Sequence, residues 1–454
     1  MSEPLLFNES PTTSKSSVFG WVSFSLVWNL SNSIVYATLF PRLLEDFTDD
    51  SEGYYSLASA ATTYIASILL PVLGILTDKS AAVRRYLIVS AFLGLAINFT
   101  FPFLDTIPLS NKSIVVIAVL AYVLGMFLLR LAVMCNNALL SSFPSSKRVS
   151  LSLLSNLVGF GVALLAFIWF ASNNLIHNCH SHRYFSFICK TALYDPSKLS
   201  LYVLIFTSCL LPLLILSPKQ KGNRYRDTVT FKSVFIGFFS ALRQLHVNSD
   251  YSTLKRFLYT YLFYSTSGTV MSIFLPTYLT FMFDLDLSER SVPMFLFLAS
   301  FVVGVFVGMA SSKLNKKASL KIDLILLFIQ NFLFVVSFGA MYISEWFFSS
   351  QSTHFLVVKI LSSFIGLLYA WNASLSRACM SRLTPPNEGA FYMGLFSTAT
   401  YLGIGLVSTF LSLVKKFGLS MRVLPCLLSF VGMPASLSLL LLIRLVGKDF
   451  TNIN

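Results

Sequence analysis

What most constrains this chain is a series of apolar runs, each long enough to cross a lipid bilayer and each followed by a short polar stretch. Six lie near residues 18–41, 55–77, 86–104, 113–141, 150–172 and 199–217; six more lie near 257–282, 291–311, 320–344, 354–377, 391–414 and 421–445. A helix rises about 1.5 Å per residue, so about 20 apolar residues cross a hydrocarbon core about 30 Å thick. Inside lipid the backbone must satisfy its own hydrogen bonds, which leaves helices or closed barrels. The runs lack the alternation of barrel strands and therefore predict helices. The expected fold is an all-α membrane protein with about 12 transmembrane helices in two six-helix halves.

The polar segments divide the chain. A Ser- and Thr-rich tail over 1–17 is expected to be disordered, followed by an N-terminal half over 18–217. A basic linker over 218–256 joins it to a C-terminal half over 257–445, and 446–454 forms a short tail. Charged residues make up only 11% of the 454 positions, against roughly a quarter in soluble domains, which excludes a water-soluble fold. The linker carries Lys219, Lys221, Arg224, Arg226, Lys232, Arg243, Lys255 and Arg256 against Asp227 and Asp250. Within it Phe231, Val234, Phe235, Phe238, Phe239 and Leu242 recur at helical spacing. That predicts an amphipathic helix, lying either on a leaflet or under the bundle. Six spans, a basic linker and six spans is the layout of the major facilitator superfamily, whose halves contain inverted three-helix repeats.

Lys and Arg resist translocation and accumulate on the cytosolic side. With both termini cytosolic, 22 of the 33 Lys and Arg fall on cytosolic segments and 9 on the opposite face, leaving Arg130 and Lys359 within spans. The net charge of +14 is therefore a topology signal. No basic stripe interleaved with aromatics accompanies it, so nucleic acid is not an expected partner. The six cysteines contain no C-x-x-C pair; only Cys179 and Cys189 share a polar loop, where a disulfide is conceivable in an oxidising compartment. His177, His180 and His182 flank that loop, but no carboxylate cluster joins them, and no metal or cofactor is expected. Of the sequons at Asn98, Asn111 and Asn372, the first and last fall inside spans.

An ionisable side chain inside a span costs roughly 2.5 to 3.5 kcal/mol on insertion scales, so each calls for a reason. Arg130 lies in the fourth span and Lys359 in the tenth, matching places in the two halves. A cation in a wet central cavity holds a carboxylate by a charge-assisted hydrogen bond; the alternative is that both side chains snorkel toward headgroups. No Asp or Glu lies in the interior of any span, which favours uniport or efflux over a proton relay. After the second span the chain reads G-I-L-T-D-K, with Gly74, Asp78 and Lys79 in the G-x-x-x-D-(R/K) pattern of facilitators. There the Gly allows close approach of helices and the Asp is expected to hold the cations of a conformational latch. No enzymatic constellation is present.

The stretch S-R-A-C-M-S-R-L-T-P-P-N-E-G-A-F-Y-M-G-L-F-S, Ser376 to Ser397, resembles a motif of the vacuolar amino-acid effluxers known as autophagy-related protein twenty-two. The matching positions include Arg377, Pro385, Pro386, Glu388 and Phe391. W-N-L-S-N-S-I-V-Y-A-T-L-F-P in span one, with Asn32 and Tyr36, and N-N-A-L-L-S-S-F, with Asn137, extend the resemblance over both halves. It departs at Asn387, where that family has Gly, and in span eleven, where L-G-I-G-L-V-S replaces a Gly-Pro. The resemblance implies efflux of branched-chain and aromatic amino acids from a vacuole to the cytosol after autophagy. Asn32, Tyr36, Asn137, Tyr264 and Ser265 would then line a midplane site with Arg130 and Lys359. Gly74, Asp78, Lys79, Arg377, Pro385, Pro386 and Glu388 would form the gate. The alternatives are a plasma-membrane facilitator for another small solute, or a scaffold or receptor that does not transport. The expected partners are a small-molecule cargo and the bilayer.

Overall fold

Every apolar run carries helix in the computed structural model, which describes residues 14–32, 35–36, 40–106, 108–178, 204–218, 230–283, 287–314, 319–348, 350–385, 388–416 and 423–451. The first half comprises α1 (Lys15–Leu30), α2 (Phe40–Phe47), α3 (Ser51–Lys79), α4 (Val83–Asn98), α5 (Asn111–Leu139), α6 (Ser145–Asn178) and α7 (Leu204–Leu216). A linker helix α8 (Phe231–Val247) follows. The second half comprises α9 (Ser252–Phe283), α10 (Leu287–Leu314), α11 (Leu320–Phe347), α12 (Gln351–Leu383), α13 (Gly389–Lys416) and α14 (Val423–Thr451). No strand occurs among the described residues. Seven described helices, α3, α4, α5, α10, α11, α12 and α14, are long and apolar enough by length and composition to cross a membrane. Helices α6, α9 and α13 match them in length and pack among them.

Local chemistry sets the helix ends. Ser110 accepts a hydrogen bond from the Ser113 backbone to start α5, and Asp50 accepts from the Gly53 backbone to start α3. Thr230 and Ser233 form a reciprocal capping box at the head of α8. The apolar faces then sort by neighbour. Leu129, Phe334 and Leu428 are buried between helices, whereas Leu120, Phe332 and Leu437 are more than half exposed on the outside, where lipid replaces water.

The two halves repeat one packing scheme. In the first, α1 packs on α6 and α7, α3 and α4 pack on α5, and α4 packs on α7. In the second, α9 packs on α13 and α14, α10 and α11 pack on α12, and α11 packs on α14. The halves meet along α3 against α13 and along α6 against α10 and α12. Small residues permit that closeness. A Cβ on Gly394 would lie 2.8 Å from Pro71 Cα, and one on Gly74 would lie 2.6 Å from the Ala390 carbonyl oxygen.

The linker helix has one packed face and one exposed face. It packs on the end of α3 through buried Val234, while Ile236 and Phe239 stay more than half exposed on its other side.

Candidate functional site

A ring of cross-half bonds surrounds Asp78, and a pair of arginines lies deeper between the halves. Asp78 is the penultimate residue of α3 and reaches across to the other half. Its two carboxylate oxygens accept from the backbone N–H groups of Ala390, at 3.0 Å, and Phe391, at 2.8 Å. These are unsatisfied first-turn donors of α13, and the positive end of that helix favours the carboxylate. Lys79 turns the other way and donates to the Ser233 carbonyl of α8 at 2.7 Å, tying the linker to the latch.

Arg148, at the start of α6, donates to the carbonyls of Phe143, Ser141 and, across the interface, Ser381 at 2.7 Å. Arg382 pairs with Asp323 and also reaches the Ser145 carbonyl across the interface. Asp323, 2% exposed, is the one acid of the run over 320–344 and stands at its very start, so the interior of that span is free of acid. It sits in the first turn of α11 at the level of the latch, where Arg382 neutralises it. Above the latch, Thr398 donates to the Ser67 carbonyl, and the Tyr64 and Thr409 hydroxyls bond at 2.8 Å.

Glu388 stands just before α13 and shares a hydrogen bond with Tyr392, while its Oε2 is buried without a partner. Burial pushes its carboxyl above the ordinary carboxylate range, and the Tyr392 bond only partly offsets this. Burial, followed by the nearby Glu388 and Asp250 charges, raises the Tyr251 phenol in turn. Pro385 lies in the connecting turn; Pro386 lies outside the described residues.

Arg130 lies nine residues before the end of α5, about 14 Å from it, which is near the middle of the bundle. It is 7% exposed. Its Nη1 donates to Thr63 Oγ1 at 3.2 Å, and that hydroxyl gives its own proton to the Ser59 carbonyl. The guanidinium lies 4.3 Å from the centroid of Tyr401, on α13 of the other half. Tyr55 and Tyr122 line the same region and bond to each other, and Tyr122 also bonds Ser59. Nε of Arg130 is buried with no acceptor.

A second arginine in the bundle was counted by sequence as a cytosolic charge. Arg377 sits six residues before the end of α12, about 9 Å inside the helix. Its Nη2 donates to Asn156 Oδ1 of the first half at 2.9 Å, and Asn156 donates to Ser374 Oγ at 2.7 Å. Tyr261 and Tyr369 stand beside its charge, and Tyr369 also neighbours Tyr401.

The other expected lining residues separate from this centre. Tyr36 is 1% exposed, donates to Asn98 at 2.6 Å and packs edge-on against Tyr122, which places it inside the first half behind the arginine. Tyr264 is equally buried and donates to Ser376 within the second half. Asn137 lies seven residues beyond Arg130, about 10 Å closer to the latch. Ser265 is buried with an unpartnered hydroxyl. Asn32 is partly buried in a π-helical turn that follows α1. Lys359 lies over the Phe355 ring of its own helix at 3.8 Å, near the end of α12 remote from the latch. The Cys179–Cys189 loop lies outside the described residues.

The twelve-run arrangement, the repeated packing and the Asp78 latch define a membrane transporter built from two helical bundles. A family model of the Major Facilitator Superfamily matches residues 22–408, and the chain belongs to that superfamily. A search of characterised protein sequences returns no match. Among solved structures the chain is similar to the Escherichia coli fucose:proton symporter FucP, with a TM-score of 0.62 and 14% identity over 94% of this chain and 98% of that one. It is also similar to a bacterial homologue of the iron transporter ferroportin in an outward-facing state, with a TM-score of 0.66 and 13% identity over 95% and 99%. A third likeness is to the human organic anion transporter MFSD10, with a TM-score of 0.63 and 12% identity over 95% and 98%. At such identities the likeness carries the fold and says nothing of the cargo.

Proposed function

We propose that this protein carries amino acids out of a vacuolar lumen into the cytosol by alternating access, with both termini and the Asp78 latch in the cytosol. The observation that carries the reading is Arg130: a guanidinium at mid-depth, buried, with one N–H lacking any acceptor. Such a group is costly unless an anion visits it, and the α-carboxylate of a cargo supplies two acceptor oxygens. The resemblance over Ser376 to Ser397 supports the organelle and the cargo class. In this state the latch binds the halves together on the Asp78 side. Release of Asp78 from α13 lets the halves rock about the Arg130 level and opens the cytosolic path.

The gate role falls to Gly74, Asp78, Lys79 and Glu388, joined by Arg148. Tyr36 and Tyr264 shape the two halves, and Lys359 anchors α12 near a headgroup layer.

Counterflow in liposomes holding the purified protein tests this. Amino acids should stimulate uptake of labelled amino acid, sugars should not, and Arg130→Ala should lower the rate at least tenfold in a correctly folded protein. If no amino acid stimulates, the cargo class falls. Unchanged transport in Arg130→Ala removes the site.

A further inference from the structure

Among the described residues, Arg130 and Arg377 lie within the bundle and form no ion pair. In sequence no acid stands within ten residues of either, and Asp323, buried at the level of the latch, is paired with Arg382. Among the described residues no carboxylate pairs with Arg130; the Thr63 hydroxyl accepts from it and the face of Tyr401 lies against it. Arg377 likewise has an amide oxygen, Asn156 Oδ1, and two phenol neighbours. Neutral groups hydrogen-bond a guanidinium but do not cancel its charge.

The two sites also differ in what holds them. Thr63 and Arg130 belong to the same half, so their bond survives any rocking motion. The Arg377–Asn156 bond crosses from α12 to α6, and the separation of the halves that opens the latch breaks it. Arg377 then loses its acceptor at the moment when the path to the Asp78 side forms.

From this charge balance we infer that the cargo is a small carboxylate of net negative charge, passed from Arg130 to Arg377 as the halves separate, with Asn156 standing in for it at Arg377 until then. Among amino acids the acidic ones meet this requirement. A zwitterion brings an ammonium group into a field set by two guanidinium groups, where no carboxylate receives it. The inference rests on the transporter reading above. It departs from the branched-chain and aromatic cargo implied by the family resemblance.

The test uses the full-length protein in liposomes, with counterflow of labelled glutamate, succinate, leucine and phenylalanine at equal concentration. Glutamate and succinate should exceed leucine and phenylalanine at least tenfold. Arg377→Gln should lower glutamate transport at least tenfold while glutamate still raises the protein's melting temperature, because Arg130 remains. Arg377→Lys should recover part of the rate, and Asn156→Ala, which leaves both cations, should still prefer glutamate. Should Arg377→Gln fail to fold, the lysine and Asn156 variants carry the comparison. Leucine and phenylalanine transported with glutamate and succinate inert would overturn the anionic cargo and leave amino-acid transport standing. Transport of none of the four would overturn both readings. Wild-type glutamate rates in Arg377→Gln would remove the second station alone.

Discussion

Replacing Asp78 by Asn keeps the shape of the side chain but removes its charge and one of its two acceptor oxygens. In the sealed state that carboxylate accepts from the Ala390 and Phe391 amides at 3.0 and 2.8 Å. A hydrogen bond to a charged group contributes about 1.5–3 kcal/mol, against about 1 kcal/mol for a neutral pair. The charge at the first turn of α13 adds about 0.3–1 kcal/mol. Losing one bond, weakening the other and removing the dipole term costs the sealed state about 2–6 kcal/mol. Once the halves part, water serves both the side chain and the amides, so the open state loses little. At 1.36 kcal/mol per tenfold, the equilibrium moves roughly 30- to 25,000-fold toward open. Ser374 reports the change, since it is fully buried against Asn156 at the interface. In a chain whose only cysteine is Ser374→Cys, Asp78→Asn should raise labelling by an impermeant maleimide from the Asp78 side at least tenfold. Equal labelling in the two proteins, with equal melting temperatures, would refute the latch.

Gly74→Ala should act in the same direction, because its Cβ meets the Ala390 and Phe391 backbone below 3 Å; the same labelling assay reads it. Arg148→Ala strips three carbonyls of their donor and should destabilise the sealed protein by about 3 kcal/mol or more, seen as a lower melting temperature and faster labelling. Glu388 has its carboxyl raised in the sealed state, which therefore binds a proton more tightly than a state exposing it. The sealed state is thus favoured at low pH and loses that advantage as pH rises from about 4.5 through the raised value. Labelling normalised to unfolded protein should increase across that window, and Glu388→Gln should flatten the profile.

Much of the candidate site is legible in the linear chain because it depends on composition. Arg130 declares itself by interrupting an apolar run, and Gly74 and Asp78 by a fixed spacing at a span's end. Arg377 declares itself only through the motif of Ser376 to Ser397, as a gate residue. In sequence it stands near Arg382 and the Pro385 turn and reads as a cytosolic charge, yet α12 continues to Leu383 and carries it about 9 Å inside. The same limit applies to Tyr36 and Tyr264, polar residues in spans whose rotation about the helix axis faces them into their own halves. Helical periodicity gives relative faces, and only packing says what each face meets.

The sequence by itself determined that the chain crosses a membrane repeatedly as helices, since hydrocarbon admits no unpaired backbone and the apolar runs have the required length. It also determined that the interior of the spans is nearly free of acid. Tertiary structure decided which polar groups meet. The first-turn amides of α13 become partners of Asp78, and Asn156 becomes the acceptor for Arg377, because α3 and α6 of one half are pressed against α13 and α12 of the other. Those contacts join residues more than 200 positions apart, and their geometry follows from how two repeated bundles dock, which no local pattern encodes.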